Sequence, residues 1–413
     1  MTERLYYTDP FLQTFEARVV DVRTTANGTA VVLDRSAFYP NSGGQPFDTG
    51  WLGSPRAADP SKLRVVNVEE DEATGEVLHY VEDVLGVQAG DALHGAIDAE
   101  RRYDHRQQHS GQHVLSAAFE QLYDFATVSF HMGDESCTID LATDAVTPAQ
   151  IIAAEKLSNQ IVYEDRLVDI RFATPDEARS MGVRKIPAAE REKLRLIDIA
   201  GFDLNACGGT HVRSTGQIGS ILLRKTEKVR QGVRVEFVCG LRAVATARRD
   251  FATLTEAAAV FSTHIYELPQ QARKVLDEAK AAQKVQFKLL EEVAELQAEE
   301  FLQSAPGLPA GAKLVVQYFG DRDLAFIKML AQKITRTGQA VALLSCGGPQ
   351  PSLVFAQSPG LPYDMGSMMK QTLAKLGTRG GGNKEMAQGG APDAERAEHA
   401  IAEAAHGLTG VAD

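Results

Sequence analysis

The chain has 413 residues, which is enough for two to four domains at roughly 100–200 residues each, and 44% of them are apolar, as in an ordinary globular protein. Its formal net charge of −12 argues against broad, non-specific nucleic-acid binding and leaves only local basic patches for such a partner. The four cysteines are widely spaced, which argues against a disulfide framework. No apolar run of about 18 residues suggests a membrane span, and the N-terminus lacks the apolar core of a signal peptide. We therefore expect a cytoplasmic protein.

Residues 1–98 have the pattern of short strands separated by glycine-rich turns. Val-rich segments cover Arg18 to Val22, Thr29 to Asp34 and Lys62 to Glu69. Short, regularly spaced strands of this kind are typical of a small barrel or sandwich. We predict a small β-barrel domain that carries a Gly-rich loop.

Residues 99–240 alternate between helical and strand patterns. Arg101 to Tyr123 places apolar residues on one helical stripe, and Thr147 followed by Pro148 is a helix start signal for a segment ending near Tyr163. Strand patterns follow at Leu167 to Ala173 and beyond. This block is predicted to be an α+β domain.

Residues 241–304 are predicted to be a helical linker. Val275, Ala282, Leu289 and Leu296 recur at seven-residue spacing, with Ala279 and Val293 between them. This heptad seam is compatible with a helix packed on a neighbour, a helical hairpin or a two-chain coiled coil. A homodimer through this segment or through the C-terminal domain is one expectation.

Residues 305–413 are predicted to form a small α/β domain. The Pro- and Gly-containing stretch from Ala305 to Gly311 breaks the helix. Strand and helix patterns alternate from Lys313 to Leu376, and a glycine-rich stretch covers residues 377–390. The whole chain is therefore expected to be an α+β multidomain protein.

Two histidine-containing motifs predict a metal site. His109 and His113 are four apart on a predicted helix and share one face, while Cys207 and His211 flank Gly208 and Gly209. Each motif alone occurs by chance and usually reflects core or surface histidines. One thiolate with three imidazoles suits a tetrahedral, borderline-soft ion, and zinc fits best.

The spacing alone leaves the role of the ion open. Four protein ligands are typical of structural zinc, whereas catalytic zinc usually keeps a position for water. His105 lies one turn before His109 and is either a partner of a ligand or an RNA contact.

At this point the residues resemble a known family, the editing domain of alanyl-tRNA synthetase. The resemblance is carried by His109-Ser-Gly-Gln-His113, by Cys207-Gly-Gly-Thr-His211 with the residues after it, by the loop within Phe38 to Gly50, and by Lys228 to Phe237. The tail from Gly380 to Gly390 resembles the glycine-rich motif of the DHH-associated domain, although Asn383 stands where that motif more often has Arg. The segment before Phe38 is too short for a charging domain, so the resemblance is to freestanding editing proteins of the AlaX type, long form.

The resemblance implies a hydrolase that removes serine, and possibly glycine, from mischarged alanine tRNA in trans. Two alternatives stay open: a non-catalytic tRNA-binding module with structural zinc, and a deacylase for another small aminoacyl-tRNA, such as a threonine-type substrate. Deacylation needs a positioned water and an oxyanion site. The loop Ser42, Gly43, Gly44 and Gln45 is expected to cradle the ester or the terminal adenosine, with Gln45 orienting water or substrate; the plain alternative is a barrel turn.

The resemblance also places the reader of the serine hydroxyl on the strand after the metal helix, where Thr127 is preferred over Ser129. RNA contacts are expected from local basic clusters, each of which is more often a solvated face when judged alone. The expected contacts are Arg102, with Arg101 and Arg106 beside it; Arg230, with Lys225, Lys228 and Arg234; and Arg379, Gly381 and Gly382, with Lys384 beside them.

Overall fold

The computed structural model describes residues 1–53, 62–82, 86–183 and 192–409. The chain forms two compact units, Met1–Glu256 and Ala257–Asp413. Both units combine sheets and helices, so the predicted α+β multidomain class is confirmed. The predicted boundaries at residues 98, 240 and 304 remain a prediction.

The first unit begins with a barrel. Its strands are β1 (Glu3–Arg4), β2 (Thr14–Thr25), β3 (Gly28–Leu33), β4 (Arg35–Ser36), β5 (Gly50–Gly53), β6 (Lys62–Asp71), β7 (Glu76–Val81) and β8 (Ala92–Ile97). Six of them close in the order β2-β3-β7-β6-β5-β8, and β1 pairs with β4. Side chains alternate between the interior and solvent along β2, as a half-buried strand requires.

The rest of the first unit surrounds one long helix. In chain order its elements are α1 (Ala99–Tyr123), β9 (Thr127–Met132), β10 (Cys137–Leu141), α2 (Pro148–Tyr163), β11 (Val168–Ala173), α3 (Pro175–Ser180), β12 (Leu194–Ile199), β13 (Asp203–Ala206), β14 (Ile221–Val229) and β15 (Gly232–Cys239). One sheet has the order β14-β15-β10-β9 and another β11-β12-β13. Apolar residues of α1, α2 and these sheets share one core.

Helix α1 is fixed at both ends by its sequence. The side chain of Asp98 accepts a hydrogen bond from the backbone N–H of Arg101 at the start, and Asp124 adopts a left-handed conformation at the end. Almost every residue from His105 to Phe119 is buried. A helix buried on all sides can present polar side chains to the interior, which is what the metal site needs.

The second unit holds the remaining sheet. Helix α4 (Gly240–Val260) runs from the first unit into the second and is followed by α5 (Leu268–Ser304), β16 (Lys313–Phe319), α6 (Leu324–Thr337), β17 (Ala340–Cys346), β18 (Ser352–Gln357), α7 (Met365–Leu376), β19 (Gly380–Gly382), β20 (Met386–Gly390) and α8 (Ala394–Thr409). The sheet order is β16-β17-β18-β20-β19, and only β16 and β17 pair in parallel. The last helix, α8, was not predicted.

The heptad seam of α5 coincides with its packed face only in part. Leu289 and Leu296 are exposed, whereas Val293 packs with the buried Ala294, Ala298 and Leu302 on the core of the second unit. The predicted helix is therefore present, but the exposed part of its seam does not pack on that core. No helix in the described parts of the chain is both long and apolar enough to cross a membrane.

Candidate metal centre and adjoining cavity

Four side chains from two distant segments meet at one point. His109 and His113 come from consecutive turns of α1, and Cys207 and His211 flank the turn after β13. Their ligand atoms all lie within 4.8 Å of one another. The Cys207 sulfur is 3.4 Å from His109 Nε2 and 3.3 Å from His211 Nε2. The structure therefore brings together the four residues that the spacing singled out.

Each imidazole is oriented through its other ring nitrogen. His109 Nδ1 donates to Gln45 Oε1 at 2.7 Å, and His211 Nδ1 lies 3.2 Å from the hydroxyl oxygen of Ser110. His113 Nδ1 faces the Asp203 carboxylate at 3.4 Å. Such partners fix the ring and its tautomer, which leaves Nε2 as the ligand atom in all three histidines. Sequence spacing gave no signal for Ser110 or Asp203.

Gln45 has a different position from the one predicted. Its side chain is fully buried, and its amide oxygen accepts from His109 and from the backbone N–H of Thr210, while its amide nitrogen donates to the Thr210 hydroxyl. The amide oxygen and one of the two amide N–H groups are therefore engaged within the protein. In this structure Gln45 positions His109, and its predicted contact with water or substrate stays a prediction.

The turn that carries Cys207 is constrained by close packing against His109 and by hydrogen bonds from the buried Arg195. A Cβ on Gly209 would lie 2.1 Å from His109 Cε1, so the ring occupies the place of a side chain. Gly208 and Gly209 lie in the turn after β13, and neither has a positive φ. Arg195 Nη1 donates to the carbonyl oxygens of Cys207 and Gly209 at 2.7 and 2.9 Å.

The protonation states suit metal binding. Burial alone would raise the pKa of the Cys207 thiol, but the imidazoles of His109 and His211 hold it well below its usual value, so the sulfur is a thiolate. Burial lowers the pKa of His211 to about 3, which keeps its ring neutral. Burial also acts to lower the pKa of His113, but the Asp203 carboxylate and the Cys207 sulfur raise it to about 9, so an ion there must displace a proton.

The donor set matches a tetrahedral ion of the zinc type. Zinc–nitrogen bonds of about 2.0–2.1 Å and zinc–sulfur bonds of about 2.3 Å give donor–donor edges of roughly 3.5 Å in a tetrahedron. The observed sulfur–nitrogen separations of 3.3 and 3.4 Å agree with that size. These four groups can therefore hold a metal ion.

A cavity of about 700 Å³ lies close to the metal ligands, although none of the four lines it. It is lined by Gly43, Gln112, Thr127 and Asn205, among others, and by Phe130, whose ring lies 5.4 Å from that of His109. The side-chain oxygen of Asn205 is buried and has no hydrogen-bond partner within the described residues. An unpaired acceptor at a cavity wall is suited to bind a donor group of a ligand.

The predicted Gly-rich loop forms part of this wall. Ser42 and Gln45 exchange two backbone hydrogen bonds, and Gly43 and Gly44 between them have φ values of 58° and 82°, as in a type I′ turn. Among the residues that the structure describes, no protein acceptor pairs with the N–H groups of Gly43 or Gly44. The loop is therefore a barrel turn whose central N–H groups are free.

The two candidate hydroxyl readers differ in their contacts. Thr127 lines the cavity, and its hydroxyl donates to the Ser116 hydroxyl at 2.7 Å. Ser129 also lines the cavity, but its hydroxyl donates to the Asp140 carboxylate, which is ion-paired with Arg234. The second hydroxyl is thus engaged with a charged acceptor, which favours Thr127 for a ligand.

The predicted RNA contact at Arg102 is wrong for a physical reason. Arg102 is 2% exposed, and its guanidinium pairs with the buried Asp48 and donates to the carbonyl oxygens of Pro10 and Ala37. It joins helix α1 to the barrel and does not face solvent. His105 is also buried, and burial lowers its pKa to about 4.

Arg106, beside Arg102, is 7% exposed and therefore also buried, whereas the predicted RNA residues Arg230 and Arg379 lie at the surface. Arg230 is exposed in the turn between β14 and β15, and Arg379 is exposed just before β19. In the glycine-rich tail, a Cβ on Gly382 would lie 2.2 Å from a backbone oxygen, whereas one on Gly381 would meet nothing within 4 Å. Asn383 accepts from two backbone N–H groups in the tight turn that follows, so it has a structural role.

Two known protein families match parts of this chain. Residues 194–235, which include Cys207 and His211, match the family described as threonyl and alanyl tRNA synthetase second additional domain. Residues 3–101 match the family described as tRNA synthetases class II (A). The chain is therefore similar to proteins of the aminoacyl-tRNA synthetase group.

Individual relatives show which proteins of this group are similar to the chain over most of its length. The chain is 29% identical over 393 residues to the alanyl-tRNA editing protein AlaX-L of Pyrococcus horikoshii, with 94% of both chains covered. It is 32% identical to the alanine–tRNA ligase of Pyrococcus furiosus and 33% identical to that of Halobacterium salinarum, covering 97% and 98% of this chain but only 43% and 44% of the ligases. The chain thus spans less than half the length of these ligases. The resemblance to the alanyl-tRNA editing family that the motifs predicted is confirmed.

One solved structure was also matched. The C-Ala domain of Aquifex aeolicus alanyl-tRNA synthetase aligns with 26% of this chain and 99% of that chain, at 17% identity and a TM-score of 0.24. That score is too low to relate the two folds.

Proposed function

We propose that the chain hydrolyses the ester bond of mischarged alanine tRNA in trans, removing serine, with a zinc ion held by His109, His113, Cys207 and His211. The observation that supports the proposal is a group of three buried imidazoles and the half-buried Cys207 thiol close to a cavity large enough for an aminoacyl nucleoside. Similarity to AlaX-L over most of both chains supports the choice of substrate. The expected setting is the cytoplasm, and the reaction needs no ATP because the ester is already activated.

The cavity wall supplies the groups that the reaction needs. The free N–H groups of Gly43 and Gly44 are suited to hold the oxyanion that develops on the ester carbonyl. The unpaired oxygen of Asn205 is suited to accept from the substrate ammonium group. When bound, zinc would polarise the ester carbonyl or lower the pKa of water.

Discrimination is assigned to Thr127. Its hydroxyl, already aligned by Ser116, would hydrogen-bond the serine hydroxyl in the cavity. Alanine has no hydroxyl and would leave that hydrogen bond unmade, which penalises its ester. The correct product would then be spared.

A second function is favoured by one feature of the site. Four protein donors fill a tetrahedron, as in structural zinc sites, so the chain could bind tRNA without catalysing hydrolysis. Exposed Arg230 and Arg379, with Gly381 and Gly382, are proposed RNA contacts in either case. A homodimer through the exposed seam of α5 or through the C-terminal domain also remains a proposal.

Deacylation assays separate these functions. Purified protein of measured zinc content is incubated with seryl-tRNA and alanyl-tRNA that both carry alanine identity, and with seryl-tRNA of threonine identity. We expect rapid release of serine from the first substrate alone. Binding without release would support the non-catalytic function, and preference for threonine identity would support a threonine-type deacylase. Full activity of a folded Cys207→Ala variant would show that the ion is not needed for hydrolysis.

A further inference from the structure

A second, smaller cavity of about 230 Å³ lies on the opposite side of strand β13. Asn205 lines the first cavity, whereas the next residues along the chain line the second, because successive residues of a strand face opposite sides. The walls of the second cavity include Tyr7, Phe172, Lys193, Arg195, Cys207 and Gly208. The second cavity therefore lies against the start of the metal-ligating turn.

Arg195 gives this cavity an unsatisfied positive group. The residue is 7% exposed, and its Nε and Nη1 donate to backbone carbonyl oxygens of Tyr7, Cys207 and Gly209. Its Nη2 is buried and has no hydrogen-bond partner in the part of the chain that the structure describes. A buried charged donor without an acceptor is costly, so its presence indicates an acceptor that comes from outside the protein.

The remaining walls specify what kind of acceptor fits. Lys193 adds an exposed ammonium group, and no acidic side chain is among the described residues that line the cavity. In a chain of net charge −12, such a wall selects for an anion. Phe172, although aromatic, is 49% exposed, and the Tyr7 ring is half-buried beside the guanidinium of Arg195.

Cations next to accessible aromatic rings are the combination that binds single-stranded nucleic acid. Bases stack on the rings, while the cations contact the phosphate. The cavity is smaller than the roughly 300–1,000 Å³ of a site for a drug-sized ligand, so it suits one nucleotide unit. Cys207 lines this cavity and is also a metal ligand, so that unit would lie across strand β13 from the cavity assigned to the ester.

We propose that this cavity binds one unpaired nucleotide of the RNA 3′ strand that precedes the aminoacylated adenosine, with its base on the exposed ring of Phe172 and its phosphate on Arg195 and Lys193. This inference rests on the proposed function, since it deepens the account of how tRNA is held. It adds a contact that the metal-side cavity lacks. It also explains why an acidic chain can bind the end of a polyanion.

The test is direct binding of a probe that carries no amino acid. A fluorescein-labelled ribo-oligonucleotide that ends in CCA is titrated with the full chain, and anisotropy gives the Kd. The variants are Phe172→Leu and Lys193→Gln; the controls are Tyr163→Leu and Lys156→Gln, which alter exposed residues of helix α2. We expect Phe172→Leu to raise the Kd about tenfold, because a stacked base contributes about 1–3 kcal/mol. Lys193→Gln should lower the slope of log K against log salt by about 0.7.

A second measurement separates this inference from the proposed function. Seryl-adenosine lacks the preceding nucleotide, so Phe172→Leu should reduce kcat/KM for seryl-tRNA about tenfold and leave that for seryl-adenosine unchanged. Equal losses on both substrates, or a Kd for the oligonucleotide that neither substitution changes, would overturn the inference while deacylation stands. Binding that depends on Phe172 in a protein without deacylase activity would support the inference and refute the proposed function.

Discussion

Gln45, in a barrel turn, accepts a 2.7 Å hydrogen bond from His109 Nδ1 on helix α1, across 64 residues of sequence. Because this contact fixes the ring whose Nε2 faces Cys207, the barrel is part of the support of the metal site. Arg102 and Asp48 make the same connection two turns earlier on α1 through a buried ion pair. The barrel and the α+β domain that the sequence predicted therefore both hold the metal ligands in position.

Removal of the Gln45 amide should weaken metal binding. We expect Gln45→Ala to reduce zinc affinity about 10–100-fold, as is usual when the hydrogen-bond partner of a histidine ligand is lost. Competition with a chromogenic chelator measures the affinity. Gln13→Ala, at an exposed barrel position, is the matched control and should keep the wild-type value. Equal affinities of the two variants would refute the positioning role.

The two glycines of the cysteine turn should respond differently to alanine. A Cβ on Gly209 would lie 2.1 Å from His109 Cε1, whereas one on Gly208 would make only an ordinary contact of 3.6 Å with Tyr7 Oη. We expect Gly209→Ala to lower the zinc content of the purified protein well below one per chain. Gly208→Ala should retain a full equivalent. A Gly209→Ala protein that binds zinc normally would show that the turn can move away from His109.

Much of the metal site could be predicted from the sequence, because ligands four residues apart are a local pattern. The residues that orient those ligands could not, because Ser110 meets His211 and Asp203 meets His113 only after folding. The predicted RNA contact at Arg102 was wrong for the same reason. In the sequence, a basic residue near the start of a helix looks like a phosphate contact, and only the folded structure shows its buried partner Asp48.

In the fold, too, the extent of a helix could be predicted from neighbouring residues, whereas its contacts with distant residues could not. The span of helix α5 follows from its periodic sequence, yet the residues that pack, Ala294 and Ala298, are not the heptad residues Leu289 and Leu296. A straight helix has 3.6 residues per turn, so a seven-residue repeat drifts around it and does not by itself identify the packed face. Identifying that face required the neighbouring sheet.

Substitution at Thr127 should weaken discrimination between serine and alanine about tenfold. Thr127→Val keeps the volume and removes the hydroxyl, so we expect kcat/KM for seryl-tRNA to fall about tenfold, the value of one hydrogen bond of about 1.4 kcal/mol, with little change for alanyl-tRNA. Single-turnover deacylation of both substrates measures the ratio. Ser129→Ala is the control, because that hydroxyl is engaged by Asp140. An unchanged preference for seryl-tRNA in Thr127→Val would remove Thr127 from the site.

Barrel stability should depend on pH through His79. Complete burial lowers the pKa of His79 from 6.5 to about 4, and the neutral ring bonds Ser36 and the carbonyl of Val31. Because the folded pKa lies below the unfolded value, the unfolded chain binds the proton first, and stability falls as pH drops from about 6.5 towards 4. Between pH 7.5 and 5.0 this residue should remove about 2 kcal/mol from the free energy of unfolding.

The contribution of His79 is the difference in pH-dependent unfolding free energy between wild type and His79→Gln. Urea unfolding is followed by the fluorescence of the single tryptophan, Trp51, which lies on strand β5 of the barrel. His79→Gln should lose about 2 kcal/mol less than wild type over that pH interval. His94→Gln, at an exposed position on β8, should behave as wild type. Equal pH dependence of wild type and His79→Gln would contradict a neutral, buried His79.

The most direct test of the central claim is X-ray absorption spectroscopy of the zinc-loaded protein. If the four side chains hold one ion, the spectrum will contain one sulfur neighbour at about 2.3 Å and nitrogen neighbours at about 2.0–2.1 Å, with one zinc per chain and the sulfur signal lost in Cys207→Ala. Zinc without a sulfur neighbour, or a sulfur signal that persists in Cys207→Ala, would contradict the account.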